Sequence, residues 1–209
     1  MKIGARLLFL SWWTPKSIIN QELNRVNALT TNALEALLNK YSPNNKGALL
    51  VEEAFSGGNL KQRRDAMSLK HAKLVDSLVE VLGKEEAIRL GREAMFKIGE
   101  KLGNETCQKL GVGESLQDLI RAAKILYRIL GIEFEVEIQS PNTATLIINR
   151  CALAANYSEL TCQVLSATDE GTIRGLNKNM NMAFTEKITG GHPRCKAKIT
   201  LRTNGGTNN

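Results

Sequence analysis

The chain has 209 residues, 43% hydrophobic and 23% charged, with 28 Lys and Arg against 21 Asp and Glu for a net charge of +7. Such a length can bury a real core without staples, so the four cysteines read as reduced thiols of a cytoplasmic protein and not as a secreted disulfide framework. The positive charge is scattered: only Lys61-Gln62-Arg63-Arg64 forms a basic run, no aromatic is interleaved with it, and specific nucleic-acid binding is not expected.

At the start, Lys2 and Arg6 precede an apolar run, Leu7-Leu8-Phe9-Leu10, that closes in Ser11-Trp12-Trp13. The run is much shorter than the ~20 residues of a spanning helix, and no A-x-A cleavage site follows it. It reads as a packing segment or subunit-contact arm, with a membrane-surface anchor as the alternative. Pro15 suits a first helical turn, and Ile19, Leu23, Val26, Ala33, Leu37 and Leu38 then recur at near-helical spacing until Ser42-Pro43-Asn44-Asn45. Gly57-Gly58 marks a joint, so residues 1–58 form a helical N-terminal extension, 59–203 a second unit, and 204–209 a disordered tail.

Beyond the joint, a helix spans about Lys61 to Leu82, with Met67, His71, Leu74, Val75, Leu78 and Leu82 on one stripe. The next runs from about Lys84 to Leu102. Gly91 and Gly99 cost it helix propensity, so they are expected to admit another element closely. A fourth helix, Ser115 to Leu130, stops at a C-capping Gly131. The period then becomes two. Ile132-Glu133-Phe134-Glu135-Val136-Glu137-Ile138 alternates strictly, Ser140-Pro141-Asn142 turns, and Thr143 to Asn149 returns. Helices are predicted from Cys151 to about Leu165 and from Glu170 to Met182, followed by a hairpin of Ala183–Thr189 and Cys195–Thr203. The expected fold is α+β: N-terminal helices, a β-hairpin, two helices and a second hairpin, giving a four-stranded antiparallel sheet packed on helices. Glu133, Glu135 and Glu137 share one face of the first strand and Lys196, Lys198 and Arg202 share one face of the last, so charge pairing favours these two strands as neighbours.

This order of elements, with Cys162, Gly171, Gly175, Glu186, Gly191 and Cys195, resembles the vinyl-4-reductase (hydrocarbon-binding) domain family. The same architecture looks like that of the TRAPP vesicle-tethering subunits. Arg150-Cys151-Ala152-Leu153-Ala154, Gly175-Leu176-Asn177 and Gly191-His192-Pro193-Arg194-Cys195 are similar to motifs of the L-2-amino-thiazoline-4-carboxylic acid hydrolases. The resemblance covers about Leu60 to Leu201. It implies a ligand-binding domain, and in some relatives a zinc held partly by an E-x-x-C step. Here that step reads Glu186-Lys187-Ile188-Thr189, and the family's Gly-Asp has become Gly191-His192.

Thiols at element junctions can converge on metal or sulfur chemistry. On one helix, Cys151 and Cys162 would stand roughly 16 Å apart along the axis, too far for one ion. The resemblance selects Cys162, and Cys195, Glu186 and His192 complete a candidate zinc set. Cys195 with His192 as base is also the candidate catalytic pair. Cys107 has no visible partner. His71, with Met67, Met95 and Met182, is the candidate wall of a ligand pocket, although such a stripe also suits plain core. The function expected is small-molecule binding by a homodimeric protein, the ligand apolar or heterocyclic, with a cysteine-based structural metal site. The alternatives are a hydrolase of the aminothiazoline type and a non-catalytic assembly subunit.

Overall fold

The computed structural model describes residues 5–43 and 58–201. Helices α1 (Ala5–Trp12), α2 (Lys16–Tyr41), α3 (Leu60–Leu82), α4 (Lys84–Leu110) and α5 (Leu116–Leu130) precede the hairpin β1 (Ile132–Ser140) and β2 (Thr143–Cys151). Helix α6 (Glu159–Leu176) leads to β3 (Met180–Glu186), a 3-10 turn at Ile188–Gly190, and β4 (Cys195–Leu201). The architecture is the α+β fold expected, with one antiparallel sheet in the order β1-β2-β4-β3. The tail after 201 lies outside the described residues.

Local chemistry accounts for the element ends. Asn59 and Gln62 form a reciprocal capping box at the start of α3, the Asn59 side chain accepting from the Gln62 N–H at 3.1 Å. Gly131, at φ 72, ends α5 in the left-handed region that a Cβ disfavours. In β1 the three glutamates are exposed while Ile132 is buried and Phe134 and Val136 half-buried, as strict alternation requires.

Three sequence expectations are corrected. The segment between the hairpins holds one helix, not two. Cys151 closes β2, and α6 begins only at Glu159, where the Ser158 hydroxyl accepts the Thr161 N–H at 3.0 Å. Cys151 and Cys162 therefore do not share a helix, and the separation computed from helical rise does not apply. Second, α4 runs on to Leu110 and ends on Gly111. Third, β1 does not neighbour β4, because β2 lies between them. Glu133 pairs with Arg150 of β2 at 3.1 Å, and Lys196 of β4 with Glu186 of β3 at 2.9 Å. Charge complementarity identified paired faces but not which strands carried them.

The core lies in two clusters. Ala144, Leu146, Ile148, Ala197 and Ile199 of the sheet pack against Ala122, Ile125 and Ile129 of α5, with Leu7 and Leu10 of α1 behind. Leu34, Leu38, Leu74, Leu78, Met95 and Val164 join α2, α3, α4 and α6. The N-terminal helices are thus built into the same core as the rest. Between α4 and α6 the backbones nearly touch: a Cβ on Gly99 would lie 2.1 Å from the Thr168 carbonyl oxygen, and one on Gly171 2.1 Å from that of Phe96. Gly103 and Gly175 repeat the arrangement one turn on, at 2.3 Å each. This approach places α6 deep in the molecule, with its other face towards the sheet.

Candidate functional site

That other face of α6 carries Cys162, Leu165, Ser166 and Asp169, at successive helical-face spacings. With Thr168 they border two abutting interior chambers, of about 70 Å³ and 90 Å³, which share Val26, Leu130, Thr168 and Asp169 as walls. The first chamber is mostly apolar, with Leu116, Ile120, Leu126, Leu146, Met182 and Ile199 among its walls; its polar lining comprises Glu22, Arg25, Thr106, Thr168, Thr172 and Tyr127, the last beside Asp169. The second adds polar groups: His71, Tyr157, Lys187, Thr189 and the thiols of Cys151, Cys162 and Cys195.

Asp169 sits at the junction. Burial pushes its carboxyl up to about 7, and the adjacent Glu170 adds to this, while the Tyr127 hydroxyl and the Lys187 ammonium oppose it. Tyr127 is held as a neutral phenol, its pKa raised first by burial and then by Asp169. Glu170, facing the other way, is neutralised by Arg92 of α4 at 2.7 Å. Lys187 reaches in from the β3–β4 connection, donates to the Ser166 hydroxyl at 2.9 Å and lies over the Phe184 ring at 5.6 Å. Burial lowers its pKa.

Two buried hydroxyls in these walls, on Thr168 and Thr189, have no hydrogen-bond partner of ordinary geometry among the described residues. The Thr189 hydroxyl stands beside the Cys162 thiol, which is at best a weak partner. An unsatisfied buried polar group costs about 1–3 kcal/mol, so each is a stabilising interaction left open.

The residues singled out from sequence divide between this cavity and elsewhere. Met67 and His71 line the second chamber and Met182 the first. Met95 does not: it is fully buried in the α2–α3–α4–α6 cluster, because α4 turns that face away from the sheet. His71 bonds Thr30 Oγ1 through Nε2 at 2.8 Å and Tyr157 Oη through Nδ1 at 2.7 Å. Burial and the nearby Lys70 lower its pKa to about 3, so it stays neutral and both its nitrogens are engaged.

Cys162 and Cys195 line the second chamber, but Glu186 and His192 do not. Those two meet on the outside at 3.9 Å, and the His192 side chain is 49% exposed. Zinc in a structural site needs four convergent donors. Among the described residues no three His, Cys, Asp or Glu side chains gather so as to hold a metal. The residues present therefore do not fit the zinc that the vinyl-4-reductase resemblance implies. Cys195 and His192 are likewise not brought together as nucleophile and base. Cys195 Sγ accepts the Ile188 N–H at 3.3 Å, while the His192 ring faces Glu186. Burial raises the pKa of Cys162 and Cys195, and that of Cys151 to about 11, leaving the thiols protonated and weakly nucleophilic near neutrality.

Sequence reasoning missed Asp169, Tyr127, Tyr157, Thr168, Thr189 and Lys187. The available signal was the i, i+3, i+4, i+7 series Cys162, Leu165, Ser166, Asp169, which a supposed break between Leu165 and Glu170 concealed.

Residues 61–199 match the sequence family described as L-2-amino-thiazoline-4-carboxylic acid hydrolase. No curated protein matches the chain. Among solved structures, trafficking protein particle complex subunit 3 from Naegleria fowleri, covalently bound to palmitic acid, is similar with TM-score 0.55 and 16% identity, over 68% of this chain and 97% of that one. The phenol-responsive sensory domain of the transcription activator PoxR, with phenol, gives TM-score 0.51 and 17% identity, over 64% of this chain and 74% of that one. An Fe(II) unliganded H-NOX protein from K. algicida gives 0.54 and 15%, over 85% and 97%. At such identities the likeness is one of fold.

Proposed function

The chain belongs to the L-2-amino-thiazoline-4-carboxylic acid hydrolase family, and we propose that its two-chamber cavity binds a small, mainly apolar or heterocyclic molecule. The polar end of that molecule meets Thr168, Asp169 and Thr189. The observation that carries the reading is the pair of abutting, largely apolar interior chambers that share Asp169 and Thr168, whose buried hydroxyl has no hydrogen-bond partner among the described residues. Binding sites of this kind are apolar with a few convergent polar groups. The chambers together have about the volume of an engineered cavity that accepts benzene, ~150 Å³, so a single ring or a short chain is the right size. Similar folds hold palmitic acid in the trafficking subunit and phenol in the sensory domain.

Hydrolysis of the family's substrate is the second reading, and Asp169 favours it. A carboxyl near 7 exchanges protons at neutral pH, and its phenolic neighbour Tyr127 is a fixed donor. In that reading Asp169 takes one proton from a water whose oxygen bonds to the ring carbon between sulfur and nitrogen. The bond from that carbon to sulfur then breaks as a C=O forms, Asp169 returns its proton to the departing sulfur, and the water's second proton goes to the ring nitrogen, so the net change is addition of one water. The thiols, protonated in this enclosure, play no part.

Calorimetric titration with L-2-amino-thiazoline-4-carboxylic acid and with phenol tests binding. Saturable binding of either that weakens about tenfold in Thr168→Val supports it. Absence of binding to both by folded protein, with no small molecule retained in native mass spectrometry, overturns it. Release of free thiol from the thiazoline, lost in Asp169→Asn while binding persists, separates the hydrolase from the binding protein.

A further inference from the structure

Helix α1 has two unlike faces. Leu7 and Leu10 are buried against the core, and Arg128 of α5 fixes the helix end by donating to the Leu10 and Ser11 carbonyls at 3.2 and 3.0 Å and to the Thr14 hydroxyl at 3.0 Å. At 100° per residue, Leu8, Phe9 and Trp12 point the opposite way, and Trp13, just past the helix end, packs against Phe9 beside them. The four are 56%, 52%, 82% and 54% exposed in that order. Phe9 and Trp13 pack edge to face with ring centroids 5.8 Å apart. Only three other large hydrophobics, Tyr41, Leu69 and Ile138, are comparably exposed among the described residues. Contiguous apolar patches of a few hundred Å² mark interaction surfaces.

The surrounding charge indicates what covers it. Between residues 1 and 21 the sequence has Lys2, Arg6 and Lys16 and no Asp or Glu. Arg6 and Lys16 are exposed on either side of the aromatic cluster. Tryptophan and phenylalanine flanked by cations is the composition of an interfacial membrane contact, where rings enter the headgroup layer and basic side chains meet anionic lipid. A second copy fits less well. The four side chains offer on the order of 500 Å², against about 800 Å² per partner in a standard protein interface. No described helix is long and apolar enough to cross a membrane, which leaves contact at the surface.

We propose that the Leu8–Phe9–Trp12–Trp13 face docks the protein on an anionic lipid bilayer surface. The rings sit at headgroup depth, and Arg6 and Lys16 pair with lipid phosphates. The pinned α1 makes this a rigid contact, which delivers the interior cavity close to the bilayer without inserting it.

The protein's two tryptophans are Trp12 and Trp13, so the intrinsic tryptophan emission of the full chain reports this face alone. Adding phosphatidylcholine vesicles that contain phosphatidylglycerol should shift the emission to the blue and carry the protein down with the vesicles. Affinity should fall at least ~10-fold on pure phosphatidylcholine or in high salt. Trp12→Ser, which touches no buried contact, should weaken sedimentation while thermal unfolding stays unchanged. Equal affinity for both vesicle types, or none for either, refutes the proposal. So does an emission shift that follows protein concentration without lipid and accompanies a dimer abolished by Trp12→Ser, since the occupant is then a second copy.

Discussion

Asp169→Asn is expected to stabilise the protein above neutral pH. A carboxyl held near 7 in the folded state and near 3.9 in the unfolded chain binds its proton more tightly when folded. Its contribution to stability is therefore fully present below about pH 4 and is lost as pH rises through 7. Over about three pH units, at 1.36 kcal/mol each, the cost of ionising it in place reaches at most about 4 kcal/mol. Asparagine keeps the shape and carries no charge, and its amide can donate to the Tyr127 oxygen. Its Tm should exceed that of the wild type at pH 8 by the equivalent of about 1–3 kcal/mol, the ceiling being reduced by relaxation and water entry. The two proteins should converge near pH 4. Paired thermal or urea unfolding from pH 4 to 8 measures the difference directly, with all other titrating groups cancelling. An Asp169→Asn variant that is less stable at pH 8, or a difference independent of pH, would show that Asp169 is an ordinary ionised side chain. A buried carboxyl kept at such a cost is a mark of functional sites, where stability is commonly given up for chemistry or binding.

His71 should act in the opposite direction. With its folded pKa lowered to about 3, its contribution is intact above about 6.5 and is lost progressively as pH falls from there towards 3. A His71→Gln variant should show a shallower acid limb in unfolding experiments, and an identical limb refutes the assignment. Gly171→Ala should cost about 3 kcal/mol or more by urea denaturation, even after a gain of ~1 kcal/mol in helix propensity, because its Cβ would meet the Phe96 carbonyl oxygen at 2.1 Å. Gly190→Ala, with no atom nearer than 3.8 Å, should stay within about 0.5 kcal/mol of wild type. Cys151, raised to about 11, should alkylate slowly below pH 9 and faster as pH climbs beyond it, measured by mass spectrometry with iodoacetamide. Fast labelling at pH 7 would mean that it is not buried as described.

Much of the fold is carried by short-range chemistry and was therefore legible. Gly131 stops α5 because a C-cap there is left-handed, and β1 alternates because its glutamates must face water while Ile132, Phe134 and Val136 pack inward. The expectation that Gly91 and Gly99 admit a close neighbour also follows from propensity alone. That the neighbour is α6, contributing Gly171 and Gly175 in return, does not. Errors arose where local signals are degenerate. Cys151 to Leu165 contains alanines and leucines that suit a helix, yet Cys151 is held in β2 by pairing with Ile132, a partner nineteen positions earlier.

The site was the least legible part, for the same reason. By itself the sequence determined the fold class and the element ends that carry strong local signals, such as the stop of α5 at Gly131, since caps, periods and turns act over a few residues. Only the tertiary structure decided that Glu186 and His192 stay outside while Cys162 and Cys195 face inward. It also decided that Met95 belongs to a different core and that Asp169 meets Tyr127 in the wall of a largely apolar cavity. A pKa near 7 is a property of that enclosure, created when helices and sheet exclude water around one carboxyl.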